Sequence, residues 1–221
     1  MFNRKEVKKR GMEFLAGNKL FFFVMVLLGV GLGFVPFLGS FAAVFVLYFT
    51  VRRSLSVVAG RDSEWFDFDT ESFATLFLQF LVILGITFGS LIFLIIACMF
   101  LIFIPYIGVF LSIVLLIVYS IAFIILSFII FFSHLIAVEY PKIGAWNSLV
   151  FSYKLTKGEL MNLFLFSMSF ILWYFLVIMT LGILAFFVNG YFTLSTVCLY
   201  NEFKSKSPKF NEAISKYGYT S

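Results

Sequence analysis

Residues 72–138 read SFATLFLQFLVILGITFGSLIFLIIACMFLIFIPYIGVFLSIVLLIVYSIAFIILSFIIFFSHLIAV, a run of 67 residues with no Asp, Glu, Lys or Arg and a single proline, Pro105. A membrane helix needs roughly 20 apolar residues at about 1.5 Å each to cross a ~30 Å hydrocarbon core. The run is too long for one crossing, and Ile104-Pro105-Tyr106-Ile107-Gly108 supplies a helix breaker near its middle. Each half makes a helix of roughly 50 Å, longer than the bilayer is thick, which predicts that the two helices tilt, kink or project beyond the membrane.

The same pattern recurs on either side. Every charged residue falls in one of four clusters, Arg4 to Lys19, Arg52 to Glu71, Glu139 to Glu159 and Glu202 to Lys216, with net charges of +4, −2, +1 and +2. The other two gaps, 20–51 and 160–201, are free of charge. The first turns at Gly33-Phe-Val-Pro36-Phe-Leu-Gly39, and the third between Thr180-Leu181-Gly182 and Asn189-Gly190. Three gaps with a breaker in each predict three hairpins and six spans. If every turn lies on one side, all sixteen Lys and Arg lie on the other, and the positive-inside rule makes both termini cytoplasmic. Half of the first gap spans only about 24 Å as helix. Snorkelling of Lys19, Arg52 and Arg53 and continuation of the second helix to Gly60 complete the crossing; a re-entrant hairpin is the alternative.

Composition agrees. An apolar fraction of 62%, a charged fraction of 12% and a mean hydropathy of +1.09 lie far from the soluble range of roughly 45–50% apolar and about 25% charged. No small-x-small cleavage site follows Leu20 to Val35 cleanly, so that stretch reads as a retained helix rather than a signal peptide. The chain has room for one membrane domain, residues 1–203, with a cytoplasmic tail, 204–221, and for no soluble catalytic domain. Cys98 and Cys198 have neither disulfide nor metal spacing. The basic balance fits segments resting on an anionic cytoplasmic leaflet; without a compact basic motif, nucleic acid is not expected as a partner.

The charged clusters carry helical periodicity of their own. Residues 3–16 place Val7, Gly11, Phe14 and Leu15 on one face, opposite Lys5, Lys8, Lys9 and Glu13, with Gly17 as terminator, and predict an amphipathic helix on the membrane surface. Pro141 opens a second such helix, with Trp146, Leu149, Val150 and Tyr153 on one face and Gly158 at its end. Ser207-Pro208 opens a third, carrying Phe210, Ile214 and Tyr217.

Few residues invite a chemical role. Trp65, Asp67, Asp69 and Glu71 belong to the one acidic loop; counted from Asp67, the sixth and twelfth residues are Ser72 and Leu78, which fails the calcium-loop pattern. Asp69 or Thr70 is expected to cap the third membrane helix, with Glu71 at its positive end and the other acids meeting Arg52, Arg53 or Arg61; binding of a partner or a cation is the functional alternative. His134 is the only histidine and lies near the end of the fourth helix, so it is a candidate despite lacking a relay or metal partner. Gly85-Ile-Thr-Phe-Gly89 would admit another helix closely. Gln79, Asn162 and Asn189 are too scattered along the chain to draw a polar pathway. The charge-free spans contain no general acid, nucleophile–base pair or metal set, so no catalytic residue, cofactor or metal is assigned.

Several segments resemble a bacterial family of multi-pass membrane proteins, domain of unknown function nine-seven-five. The resemblance rests on Asn3-Arg4-Lys5-Glu6-Val7-Lys8, Leu15-Ala16-Gly17-Asn18, Ser152-x-x-Leu155-x-x-Gly158, Ser169-Phe170-x-x-Trp173, Thr180-x-Gly182-Ile183 and Leu199-Tyr200. Gly190-Tyr191 stands where the family has Pro-Tyr, and Leu199-Tyr200 where it closes with Phe-Tyr. The resemblance implies a six-helix bacterial membrane protein and carries over no functional residue.

These observations predict an all-α, polytopic membrane helical bundle of six spans in three hairpins with amphipathic cytoplasmic surface helices. The expected function is non-enzymatic binding of membrane lipids or of a membrane-protein partner, including a homo-oligomer, in envelope homeostasis or in self-protection against a membrane-active peptide. A small-solute or lipid carrier or channel is the alternative.

Overall fold

A computed structural model describes residues 4–33, 38–61, 64–102, 104 and 107–217. Every regular element among them is helical: α1 (Arg4–Gly33), α2 (Leu38–Val58), α3 (Thr70–Ile102), α4 (Ile107–Ile129), α5 (Ser133–Glu139), a 3-10 turn (Pro141–Ile143), α6 (Ala145–Thr156), α7 (Leu160–Met168), α8 (Ile171–Met179), α9 (Ala185–Lys206) and α10 (Pro208–Ser215). The hairpin tips around Pro36 and Pro105 lie outside the described residues, as does Asp62.

The core sits at the charged end of the molecule. α9 is its axis, with Val188, Leu194, Val197, Leu199 and Tyr200 fully buried. α1 runs antiparallel to it, since Gly11 meets Ser195 while Leu15 and Phe22 meet Gly190. A Cβ on Gly11 would lie 2.9 Å from both the Cα and the N of Ser195, and one on Gly190 would lie 2.8 Å from Leu15 Cδ1 and from Phe22 Cγ. Each helix therefore contributes a glycine where the other presses closest. This corrects two expectations. The Val7–Gly11–Leu15 face is buried against α9 rather than laid on lipid, and Asn189-Gly190, read as part of a turn, lies inside α9. The third turn is instead at Leu181 and Gly182, both left-handed (φ 50° and 88°), with Gly182 N–H donating to Val177 O at 2.8 Å.

Gly17 does not end the first helix either; the chain bends at Asn18 (φ −125°, ψ 20°) and continues to Gly33. The Asn18 amide donates to Phe14 O at 3.1 Å, and Arg53 of α2 donates to Asn18 Oδ1 at 3.1 Å. The side chain thus satisfies a carbonyl in the turn before the bend, and α2 holds it there.

The long middle hairpin accommodates its length in two ways. α3 sinks its first turns into the core, where Ser72 donates to Val138 O and Thr75 to Pro141 O, both at 3.1 Å. α4 stops at Ile129, and α5 begins after a three-residue break. Ser152 of α6 fills that break, donating to Ile129 O at 2.8 Å and accepting from Phe132 N–H at 3.2 Å. Beyond the core the hairpin stands alone: among the described residues from 81 to 127, only Leu94 and Gly108 are buried. A Cβ at Gly85 or Gly89 would meet nothing within 4 Å, so among the described residues no helix packs into that notch.

The predicted α6 face stays outward, whereas the predicted α10 face is buried. Pro141 opens a 3-10 turn, and α6 starts only after the left-handed Gly144 (φ 81°). α6 buries Ser148, Phe151, Ser152 and Leu155 and turns Trp146 and Tyr153 outward. α10 buries Phe210 and Ile214, with the Phe210 ring 6.0 Å from that of Phe151. Its apolar face is covered by protein.

Of the six predicted spans, four helical stretches among the described residues are long and apolar enough to cross a membrane: Arg4–Gly31, Thr70–Leu101, Ile107–Glu139 and Leu160–Met179. α2 and α9 are not among them. Asn189, Thr193, Ser195 and Thr196 lower the apolarity of α9, which packs against α1 and α2 instead.

Candidate functional site

The acidic loop is held by its aromatic residues, and two of its carboxylates meet one arginine. Trp65 packs edge-on to Phe21 at 6.0 Å, Phe66 to Phe49 at 5.3 Å and Phe68 to Tyr48 at 5.7 Å. Fully buried Tyr48 accepts from Asp69 N–H at 2.8 Å. Arg52 donates to Asp67 Oδ2 from Nε at 2.9 Å and from Nη2 at 2.7 Å, and its Nη1 lies 3.7 Å from Asp69. Asp69 is the N-cap of α3: its carboxylate accepts from Ser72 N–H at 3.1 Å and from the Ser72 hydroxyl. That hydroxyl, then the Ser72 and Glu71 amides and Arg52, hold the carboxyl below its ordinary pKa against the opposing effect of burial. Glu71 is exposed on the first turn of α3, as expected for a carboxylate at a helix N-terminus. Asp67 and Asp69 thus converge on a guanidinium, and Trp65, 39% exposed, closes the loop against α1.

His134 lies elsewhere, half-buried on α5 just after the α4 break. It lines a groove of 290 Å³ between α2, α3 and the α4–α5 junction. Leu76 and Gln79 form the buried floor, and Leu47 and Ser127 are exposed at the rim. Gln79 is only 1% exposed, and neither its Nε2 nor its Oε1 has a hydrogen-bond partner. Two polar residues 55 positions apart in sequence are therefore brought to one apolar groove. Sequence reasoning singled out His134 and noted Gln79 but did not join them; each is a lone polar group in an apolar run, and the break in α4 is what turns His134 towards α3.

Two further polar contacts were missed. Glu139 accepts from the Tyr200 hydroxyl at 2.6 Å and from Lys204 Nζ at 2.8 Å, while Lys204 also lies over the Tyr140 ring at 4.9 Å. Burial disfavours the Lys204 charge, but Glu139 and Tyr140 outweigh it and the pKa is raised. Lys8 enters the α7–α8 break, donating to Ser169 O at 3.2 Å and to Ser169 Oγ at 3.1 Å, with Nζ 4.5 Å from the centre of the Phe170 ring. Among the described residues, no group of three or more His, Cys, Asp or Glu is placed to hold a metal ion.

Fold and polar contacts together define an all-helical protein with a packed, charged end and several helices apolar enough to span a membrane. The family model of DUF975, a protein of unknown function, matches residues 34–207, and the chain belongs to that family. No curated protein and no solved structure matches the chain.

Proposed function

We propose that this is a six-span protein of the cell's inner, or plasma, membrane that acts without catalysis, by binding lipid or a membrane-protein partner, with both termini cytoplasmic. The observation that carries this reading is the α3–α4 hairpin. Its outer turns present Leu, Ile and Phe on every face and are scarcely covered by the rest of the chain. At about 25 cal/mol per Å² such a surface is untenable in water, so lipid or a second protein must cover it. The four clusters of charge support the orientation. Arg53–Asn18 ties the first to the second and Glu139–Lys204 ties the third to the fourth, while Ser72–Val138 and Thr75–Pro141 join the two ends of the long charge-free run beside the second and third. In this reading α2 and α9 complete the six crossings, with α9's polar residues facing protein and grooves rather than acyl chains.

Mild-detergent extraction followed by intact-mass analysis of the complex tests the proposal; recovery of a bare monomer, with neither lipid nor partner, counts against it. The broken α7–α8 helix favours a second reading, a carrier for a small solute, because interrupted helices build transporter sites. Absence of flux above empty liposomes for ions, amino acids and lipophilic solutes would remove it for those substrates.

A further inference from the structure

We infer that the groove between α2, α3 and the α4–α5 junction is a binding site for a lipid with an uncharged head carrying both a hydroxyl and an ester carbonyl, the acylglycerol class. The inference rests on the proposed binding function and names its ligand.

The argument starts from Gln79. A buried carboxamide without partners forfeits several hydrogen bonds, and native interiors rarely tolerate this unless something else fills the site. Both ends of the Gln79 amide are unpaired, so the missing group must offer a donor to Oε1 and an acceptor to Nε2. His134, whose ring has one donor and one acceptor when neutral, lines the same groove. Water can pair with Gln79 and His134 but not with Leu47, Leu76, Phe80 and Ile83, which give the groove apolar walls that an alkyl chain matches and water does not. A hydroxyl next to an ester carbonyl, attached to an alkyl chain, matches both the amide and the apolar walls.

Charge excludes the commoner membrane lipids from this groove. None of its lining residues is Asp, Glu, Lys or Arg. Gln79 is ten residues along α3 from the cap at Asp69, roughly 15 Å at 1.5 Å per residue, so the arginine of the acidic loop is a poor partner for a phosphate held here. An acylglycerol lacks the phosphate and sinks to the level of its ester and hydroxyl groups. The volume of 290 Å³ admits the head and the first part of a chain, and the exposed Leu47 and Ser127 mark where the rest leaves towards the bilayer.

Native mass spectrometry of the full-length protein, titrated in detergent with dioleoylglycerol and separately with dioleoylphosphatidylglycerol, tests the site. A saturable dioleoylglycerol adduct is expected, weakened about tenfold or more in Gln79→Leu, as the loss of two net hydrogen bonds implies, and not displaced by the phospholipid. Because Gln79→Leu removes an unpaired buried amide, its melting temperature in lipid-free detergent should be no lower than that of the wild type. Equal dioleoylglycerol binding by Gln79→Leu, displacement by the phospholipid, or a lower melting temperature of the lipid-free variant would each overturn the inference. Retention of another lipid or a protein without any dioleoylglycerol adduct overturns only this inference, whereas a bare monomer overturns the binding function itself.

Discussion

Replacing Gly11 by alanine sets two known effects against each other, and the structure decides which wins. In an open helix the change stabilises by about 0.5–1 kcal/mol, because glycine loses more backbone freedom on folding. Here the new Cβ would clash with Ser195 Oγ and lie 2.9 Å from the Cα and the N of the same residue. The hydroxyl can rotate away, since nothing holds it: Ser195 Oγ is buried without a partner. The backbone atoms cannot. Restoring an ordinary separation of about 3.4 Å requires α1 to back off α9 by about 0.5 Å, which forfeits roughly a quarter of the dispersion attraction across the crossing. Val7, Leu15, Phe22, Tyr191 and Leu194 are all buried there. Overpacking of this kind costs about 1–3 kcal/mol, so after the helix gain of about 0.5–1 kcal/mol the net loss lies between about 0 and 2.5 kcal/mol and centres a little above 1 kcal/mol. For a chain of this size a loss of about 1 kcal/mol lowers the melting temperature by roughly 2–4 °C. Thermal unfolding of the full-length protein in detergent, followed by tryptophan fluorescence, is the measurement. Gly85→Ala is the control, since a Cβ there meets nothing within 4 Å; it should match or exceed the wild type. A Gly11→Ala protein that melts at or above the wild type, or one fully rescued by Ser195→Ala, would refute the claim that backbone contact sets this crossing.

Four further single substitutions address the polar contacts. Asp69→Ala should cost about 1 kcal/mol through the lost cap. Because the folded-state pKa of Asp69 is depressed, its contribution is present above the unfolded value near 3.8 and fades as the pH falls through the folded one; a pH series of melting temperatures should show an acid-limb loss in the wild type that Asp69→Ala lacks. Glu139→Ala strands the buried Tyr200 hydroxyl and the half-buried Lys204 and should cost about 2–4 kcal/mol, most of it recovered in the triple variant with Tyr200→Phe and Lys204→Met. With its folded pKa raised, Lys204 contributes below its unfolded value near 10.5 and loses that contribution as the pH rises through the folded one, so Lys204→Met should flatten the alkaline limb of the same series. Lys8→Met should cost about 1–2 kcal/mol and accelerate amide exchange at residues 166–172 far more than at α3; uniform acceleration would argue against a local plug.

What the sequence made legible was periodicity and charge. The absence of charge between residues 72 and 138 located α3 and α4, and the excess length anticipated the break of α4, though not the burial of the first turns of α3 in a protein core. The apolar stripe of the N-terminal helix was read correctly as a face, but a stripe does not say what covers it: α9 lies about 180 residues away, and Gly11 and Gly190 reveal their pairing only in three dimensions. Asn189-Gly190 misled because Asn-Gly is a strong turn signal, whereas in α9 the glycine serves close approach. The acidic loop was legible because capping and ion pairing act over a few residues. The Gln79–His134 groove was not, because it depends on the direction in which a broken helix turns.

The three interruptions of the long helical segments share one construction. Backbone that leaves the helical path needs partners for its freed polar groups, and each break here is met by a side chain from elsewhere in the chain. Arg53 steadies Asn18 at the bend in α1, Ser152 bridges Ile129 and Phe132 between α4 and α5, and Lys8 covers Ser169 between α7 and α8. The donors come from α2, α6 and α1, so losing one element exposes polar backbone in another. This makes the charged end a mutually dependent unit, fixed by contacts that cannot be released one at a time without cost. Away from the base formed by the first turns of α3 and the end of α4, the side-chain hydrogen bonds of the α3–α4 hairpin among the described residues stay within the hairpin, such as the Ser90–Tyr119 hydroxyl contact at 3.0 Å. It is therefore the part of the fold free to adapt to whatever covers it, and the Gln79 groove lies where that adaptable hairpin is anchored to the fixed base.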